Sequence, residues 1–337
     1  MKKKLLPTLL PPVVDRLAFT VQVPSASQKA VENRLTELMK DLQGRTERNL
    51  RLSSARYRHA YRLPLTVQES CRIDIRPRAS EQSQRMGFLR LEYNPAKVGD
   101  IGDQHVKRYL TDLLGPKLFR QLGELAFITR LDVAQDVAHA RLSSLFACSS
   151  QLKSGAWYDQ HGQPQTLYLC SAQGPIFFRI YDKRAEQAAK GQSVPDHPLL
   201  RIEVRFRPSR LLNQKDGGDI DALITRAFSS VHLLSVARCE QHAADLTWTL
   251  FLDSARVRGL QAALRLLPAD LRRSYCARLK NLAAVDWWSA EKLRRHCAQA
   301  IRRLGIFPAS FLADQVRQRP VRARPRRRRP RSTATAS

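Results

Sequence analysis

Three segments of the chain alternate apolar and charged residues with a period of two, and this restricts each to a strand with one buried and one polar face. In residues 129–137 (TRLDVAQDV), Arg130, Asp132, Ala134 and Asp136 share one face, and Leu131 and Val133 the other. In 177–183 (FFRIYDK), Arg179, Tyr181 and Lys183 lie opposite Phe178 and Ile180. In 199–207 (LLRIEVRFR), Arg201, Glu203, Arg205 and Arg207 lie opposite Ile202, Val204 and Phe206. Strands of this kind need apolar cover on one side only. The expected class is α+β, with antiparallel sheet or sheets and packed helices.

Further strands are expected at 15–23, 57–67, 71–75, 87–93, 166–170 and 176–182, and helices at 27–42, 106–122 and 142–151. Beyond Pro208 the pattern turns helical, with breaks at Pro268 and near Ala284 and Val285, and almost no strand signal. The division this suggests is a β-rich unit over 13–210, a helical region over 219–314 and a disordered Arg-rich tail over 315–337. The β-rich unit contains an echo. DRLAFTVQV followed by FLRLEYNP resembles TRLDVAQDV followed by LLRIEVRFRP. A duplicated βαβ-type unit would produce it, as would chance.

Charge narrows the partners. The 337 residues carry +28, and dropping the nine arginines of residues 317–331 still leaves +19. The body is therefore basic in its own right, which points to a polyanion, most simply nucleic acid. No apolar run reaches the length of a membrane span, and the opening MKKKLLPTLLPPVV has no small-residue cleavage site. The six cysteines are scattered with no CxxC pair. A cytoplasmic protein with reduced thiols and no membrane partner is expected.

If the three strands are neighbours, their polar faces form one platform of carboxylates, cations and a tyrosine. Carboxylates are hard oxygen ligands for Mg²⁺ or Mn²⁺. Such a metal polarises a phosphate, and arginines neutralise its developing charge. A tyrosine becomes a useful nucleophile only when its phenolate is stabilised, here by a metal or Lys183. A bland reading stands beside this one: Tyr181 is a packing residue, and Asp132, Asp136 and Glu203 are paired with strand arginines. The chain has no nucleotide-binding P-loop, GxSxG, HExxH or His-hydrophobic-His triplet. His139 and His161 are isolated and read as structural or surface residues. An RNA-binding sheet is disfavoured because Tyr181 is nearly alone among aromatics on its face.

TRLDVAQDV, TLYL, FFRIYDKRAE and LLRIEVRFR, in this order and spacing, resemble the Rep_trans replication initiation factors of rolling-circle plasmids and filamentous phages; VDRLAFTV and FLRLEYNPAKVG add to the resemblance, which covers about residues 13–210. It implies a relaxase-like nickase and strand transferase. Tyr181 would attack an origin phosphate, hold the 5′ end and free a 3′-OH, with Lys183 assisting. Asp132, Asp136 and Glu203 would hold Mg²⁺ or Mn²⁺. Arg130, Arg179, Arg201, Arg205 and Arg207 would contact DNA, and Asp15 and Glu92 are further site candidates. The expected partners are origin DNA, single- and double-stranded, and a host helicase, with the helical region over 219–314 read as binding double-stranded DNA or a second copy in a homodimer. CSAQGP at 170–175 and the Arg-rich tail depart from the family pattern. The alternative is a non-enzymatic DNA-binding initiator or regulator.

Overall fold

The computed structural model describes residues 5–46, 49–78, 86–149, 154–207, 218–241, 245–282 and 284–306. The expected tail at 315–337 lies outside the described residues. Up to the centre of the sheet the chain forms β1 (Thr8–Leu9), β2 (Val13–Val21), α1 (Ser25–Gly44), β3 (Arg51–Leu52), β4 (Tyr57–Pro64), β5 (Ser70–Pro77), β6 (Leu89–Tyr93), α2 (Pro95–Arg120), α3 (Leu122–Leu125) and β7 (Ala126–Ala138). Then come β8 (Leu145–Ser149), β9 (Ser154–Tyr158), β10 (Pro164–Leu169), β11 (Ile176–Asp182), α4 (Lys183–Ala189) and β12 (Leu199–Phe206). The remainder is α5 (Gly218–Ser229), β13 (Val231–Ser235), α6 (Val236–Gln241), α7 (Leu246–Arg258), α8 (Leu260–Arg265), α9 (Ala269–Asn281) and α10 (Ala290–Arg303).

The fold is α+β. One large sheet runs β3-β4-β5-β6-β2-β7-β12-β11-β10-β9, with β1 added against the end of β7. All its pairings among the described residues are antiparallel. The strand order has the same sense on both sides of the β2–β7 seam. On one side β2 pairs with β6, then come β5 and β4; on the other β7 pairs with β12, then come β11 and β10.

One face of the sheet is apolar and is covered by helices. Leu17, Phe19, Leu91, Leu131, Val133, Phe178, Ile180, Ile202, Val204 and Phe206 lie in a single core with Val31 and Leu35 of α1 and Val106, Leu110 and Leu113 of α2. That core also takes in Ile224 and Phe228 of α5, Leu233 of β13, and Leu293, Cys297 and Ile301 of α10. Residues on both sides of 208–217 therefore share one hydrophobic interior. A second cluster gathers Phe146, Leu234, Trp248, Phe251 and Tyr275 from β8, β13, α7 and α9.

Local chemistry sets several boundaries. β6 stops at Asn94-Pro95 because the Asn94 side chain accepts from Lys97 N–H and proline is pre-shaped for the first helical turn. The helix therefore begins well before the expected residue 106. It is interrupted at Gly99 (φ 60) and again at Gly115 (φ 74), where an added Cβ would lie 2.7 Å from the Arg34 guanidinium.

Two expectations fail. Residues 142–144 form one 3₁₀ turn, not the start of a helix, and 145–149 form β8. The helical region likewise contains β13, which pairs antiparallel with β8 across more than eighty residues of sequence. Short apolar runs such as LFACS fit helix or strand, and only a distant partner decides between them. No helix among the described residues is long and apolar enough to cross a membrane.

Phe228 tests whether the late helices belong to the sheet's core. It is 2% exposed and meets Phe178 and Trp288 edge-on, with ring centroids at 6.2 and 5.8 Å. Phe228→Ala should cost about 3–5 kcal/mol, read as a lower midpoint of one shared urea transition. A separate early transition of the C-terminal region, with the sheet unaffected, would contradict a shared core.

Candidate functional site

The sheet's other face is polar. Strand register brings together what the sequence places apart: Asp132 lies opposite Arg16 and Arg205, Asp136 opposite Arg201, Glu203 opposite Arg179, and Tyr181 opposite Arg201 and Thr166. The three strands singled out in the sequence are adjacent in the order β7-β12-β11, so their polar faces form one surface.

Each expected metal carboxylate is held by arginine. Asp132 accepts from Arg130 Nε at 2.9 Å and Arg205 Nε at 3.4 Å. Asp136 takes both Nε and Nη2 of Arg201, at 2.6 and 2.7 Å. Glu203 accepts from Arg179 Nε at 2.6 Å. Among the described residues, no group of three or more His, Cys, Asp or Glu side chains is arranged to hold a metal ion. Asp132, Asp136 and Glu203 share a face but are kept apart by intervening guanidiniums. Among the described residues of this face, Asp15 is the acid that acts on Glu203, raising its hold on a proton. Asp15 also pairs with Arg201 at 3.4 Å. A divalent cation between two neighbouring carboxylates would relieve their mutual repulsion. Asp15 and Glu203 are thus the pair whose chemistry fits Mg²⁺ or Mn²⁺.

Burial foremost, and then Asp15, raise the Glu203 carboxyl to about 7 against the opposing pull of Arg179. Burial also pushes the Tyr181 phenol upward, helped by the charge of Glu203 and opposed by Arg201 and Arg179. Tyr181 is 5% exposed. Its ring lies under the Arg179 guanidinium, 4.5 Å from the centroid. Lys183 is not on the strand. Asp182 ends β11 by capping the next helix through Ala185 N–H, so Lys183 starts α4 and binds Glu186 at 2.5 Å. Its ammonium still stands 6.0 Å from the Tyr181 ring centroid. Arg207 lies beyond the strand end, bound to the Ala172 carbonyl at 3.3 Å. Glu92 joins the same face through Arg16 at 3.0 Å.

The expectation that Tyr181 is nearly alone among aromatics is corrected. Trp157 on β9 lies opposite Thr166, which lies opposite Tyr181, and Trp157 is 69% exposed. Tyr168 lies opposite Arg179 and stacks on Phe177 at 5.7 Å, and Arg205 lies over Phe177 at 5.5 Å. β9 carries no charged alternation, so only pairing reveals its place; Phe177 was legible two positions before Arg179. His139 is also not isolated, since its ring stands 4.7 Å from that of His197.

Arginines interleaved with aromatic rings on an open sheet can neutralise phosphates and stack unpaired bases. No protein-family model matches the chain, and no curated protein matches it.

Glu203 makes this platform sensitive to pH. Its folded-state affinity for a proton exceeds the ordinary carboxylate value, so its contribution is full below about 4.5 and is lost as pH rises through about 7. In Glu203→Gln, the fall in unfolding free energy across that window should flatten by on the order of 2 kcal/mol. Denaturant titrations at several pH values measure it, and an unchanged slope would refute a neutral Glu203.

Proposed function

We propose that this chain is a replication initiator of the Rep_trans kind, which nicks single-stranded origin DNA with Tyr181. One observation carries the reading: Tyr181 sits in register between Arg201 and Thr166 on a face bearing arginines, the exposed ring of Trp157 and the carboxyl of Glu203, whose hold on a proton burial and Asp15 raise. The basic charge of the chain agrees with a DNA partner.

In the proposed step Tyr181 Oη bonds to phosphorus as the P–O3′ bond breaks. The phenol proton passes to Glu203, whose carboxyl titrates near neutrality beside it. The departing 3′ oxygen takes up the proton that Glu203 received and leaves as a hydroxyl able to prime synthesis. Arg201 and Arg179 lower the cost of the phenolate. Arg179 covers the ring, and an incoming phosphate would draw it aside and take its charge, since guanidinium binds phosphate in a bidentate fork. A divalent cation held by Asp15 and Glu203 would supply Lewis-acid polarisation of the phosphate. The DNA-binding roles proposed for Arg130, Arg205 and Arg207 are to neutralise neighbouring phosphates. Double-stranded origin contacts or dimerisation through the helical region after Asp219, and a helicase partner, are further proposals.

A second reading, a non-enzymatic DNA-binding initiator or regulator, is favoured by the arginine held on each of Asp132, Asp136 and Glu203. One assay separates the two. Labelled candidate origin strands incubated with Mn²⁺ should yield a nick whose 5′ end migrates with protein, and Tyr181→Phe should reduce it by on the order of 10³-fold or more. Tight binding without cleavage would support the regulator. Cleavage that survives in Tyr181→Phe would discard this tyrosine.

Metal dependence provides a separate check. Mn²⁺ should raise the melting temperature of Tyr181→Phe protein more at pH 8 than at pH 6, because binding displaces the Glu203 proton. Glu203→Gln should abolish the difference. Equal stabilisation at both pH values would place the cation elsewhere.

A further inference from the structure

Three parallel diagonals cross the outer part of the polar face. The first starts at Trp157 on β9, passes Tyr168 on β10 and ends at Phe177 on β11. Register fixes it: Trp157 lies opposite Thr166 and so in line with Tyr181, Tyr168 lies opposite Arg179, and Phe177 lies opposite Arg205. One strand further in, the same slant joins Thr166, Arg179 and Arg205. The next joins Tyr181, Glu203 and Asp132. A line of rings, a line with two guanidiniums and a line with the proposed nucleophile thus run side by side. Each step crosses one strand spacing and two residues, about 8 Å.

The aromatic line is open to a partner. Trp157 is 69% exposed, and Tyr168 and Phe177 are half-buried. Gly155 lies opposite Tyr168, and a Cβ there would meet no atom within 4 Å, so the space beside the ring is free. Tyr168 and Phe177 stack at 5.7 Å with 19° between their planes, which fixes their orientation. Arg205 stands over Phe177, and Arg179 over Tyr181. Rings bordered by guanidiniums suit a partner that is flat and apolar on one side and anionic on the other. An unpaired nucleotide has this build, with a base that stacks and a phosphate that carries charge. A duplex keeps its base faces inside its own stack and offers the rings nothing.

We propose that these rings form a stacking track for single-stranded DNA, which sets the path of the strand past Tyr181. One base stacks on Trp157 and a following base on the Tyr168–Phe177 pair, while the phosphates follow Arg179 and Arg205. The strand therefore crosses β9, β10 and β11 aslant. Tyr181 lies in the same row as Trp157, two strand spacings or about 10 Å away, so the nucleotide on Trp157 adjoins the phosphate presented to Tyr181. This deepens the proposed function and rests on the face binding single-stranded DNA, not on cleavage.

The test is binding by the full chain carrying Tyr181→Phe, without divalent metal, so a failure of nicking has no bearing on it. Two fluorescent strands of about 8 residues carry the same phosphates: an oligodeoxythymidylate, and a wholly abasic deoxyribose phosphate. Each is titrated against this protein and against versions that also carry Trp157→Ala, Trp157→Phe or Phe177→Leu. Trp157→Ala and Phe177→Leu should each weaken the deoxythymidylate by about fivefold or more, and neither should weaken the abasic strand. Trp157→Phe keeps a ring and should recover most of the affinity. The Trp157→Ala complex should keep the salt dependence of the parent, because no phosphate contact is lost. Trp157 is exposed, so its replacement leaves the fold intact. Unchanged affinity for the deoxythymidylate in Trp157→Ala or in Phe177→Leu would overturn the track and leave the nickase reading standing. An equal loss on the abasic strand would also overturn it, by showing a disturbed surface and no stacking. A parent protein that binds neither strand would overturn the track together with the reading it rests on.

Discussion

The polar face of the sheet exists because arginine and carboxylate alternate across neighbouring strands. Arg90 bridges Asp74 and Glu92, Arg16 reaches Glu92, Arg130 and Arg205 hold Asp132, and Arg201 holds Asp136 and Asp15. Several of these acids are nearly buried, Asp74 and Asp132 most of all. Their charges are tolerable only when paired, since a lone buried charge costs several kcal/mol. The pairs that cross strands, Arg90–Asp74, Arg16–Glu92, Arg205–Asp132 and Arg201–Asp136, tie neighbouring strands in one register, and a slip by one residue would send every charge into the apolar core. The pairs therefore specify pairing more than they add net stability, and they hold a polar surface dry enough for its electrostatics to count.

This constraint also sets the chemistry of the tyrosine. Tyr181 occupies a slot with Arg201 across from it and Arg179 above its ring. Burial holds its proton on and the two cations help take it off, so the phenol is poised but not activated. Among the described residues of the face, Glu203 is the acid whose hold on a proton another acid, Asp15, raises. It is there that a cation or a moving proton can change the balance.

Much of this was legible in the sequence. Period-two alternation identified β7, β11 and β12 and sorted their faces correctly, because a strand with one buried side has to alternate. The echo of Arg-Leu-Glu in FLRLEY and Arg-Ile-Glu in LLRIEV was visible too. Trp157 was missed because β9 lacks charged alternation and joins the face only by pairing with β10. Lys183 was assigned to the strand by parity, but Asp182 caps a helix there and turns the chain. The metal set of Asp132, Asp136 and Glu203 was implied by the family resemblance, and the arginines paired with each of these acids became visible only in the fold.

The most direct measurement is the mass of the peptide that carries Tyr181 after reaction with single-stranded DNA, nuclease trimming and proteolysis. A nucleotide attached through phosphate to Tyr181, and to no other tyrosine, is the expected result. An unmodified Tyr181 peptide from protein that has cut DNA, or the adduct on a different residue, would contradict the assignment of this face as the nicking site.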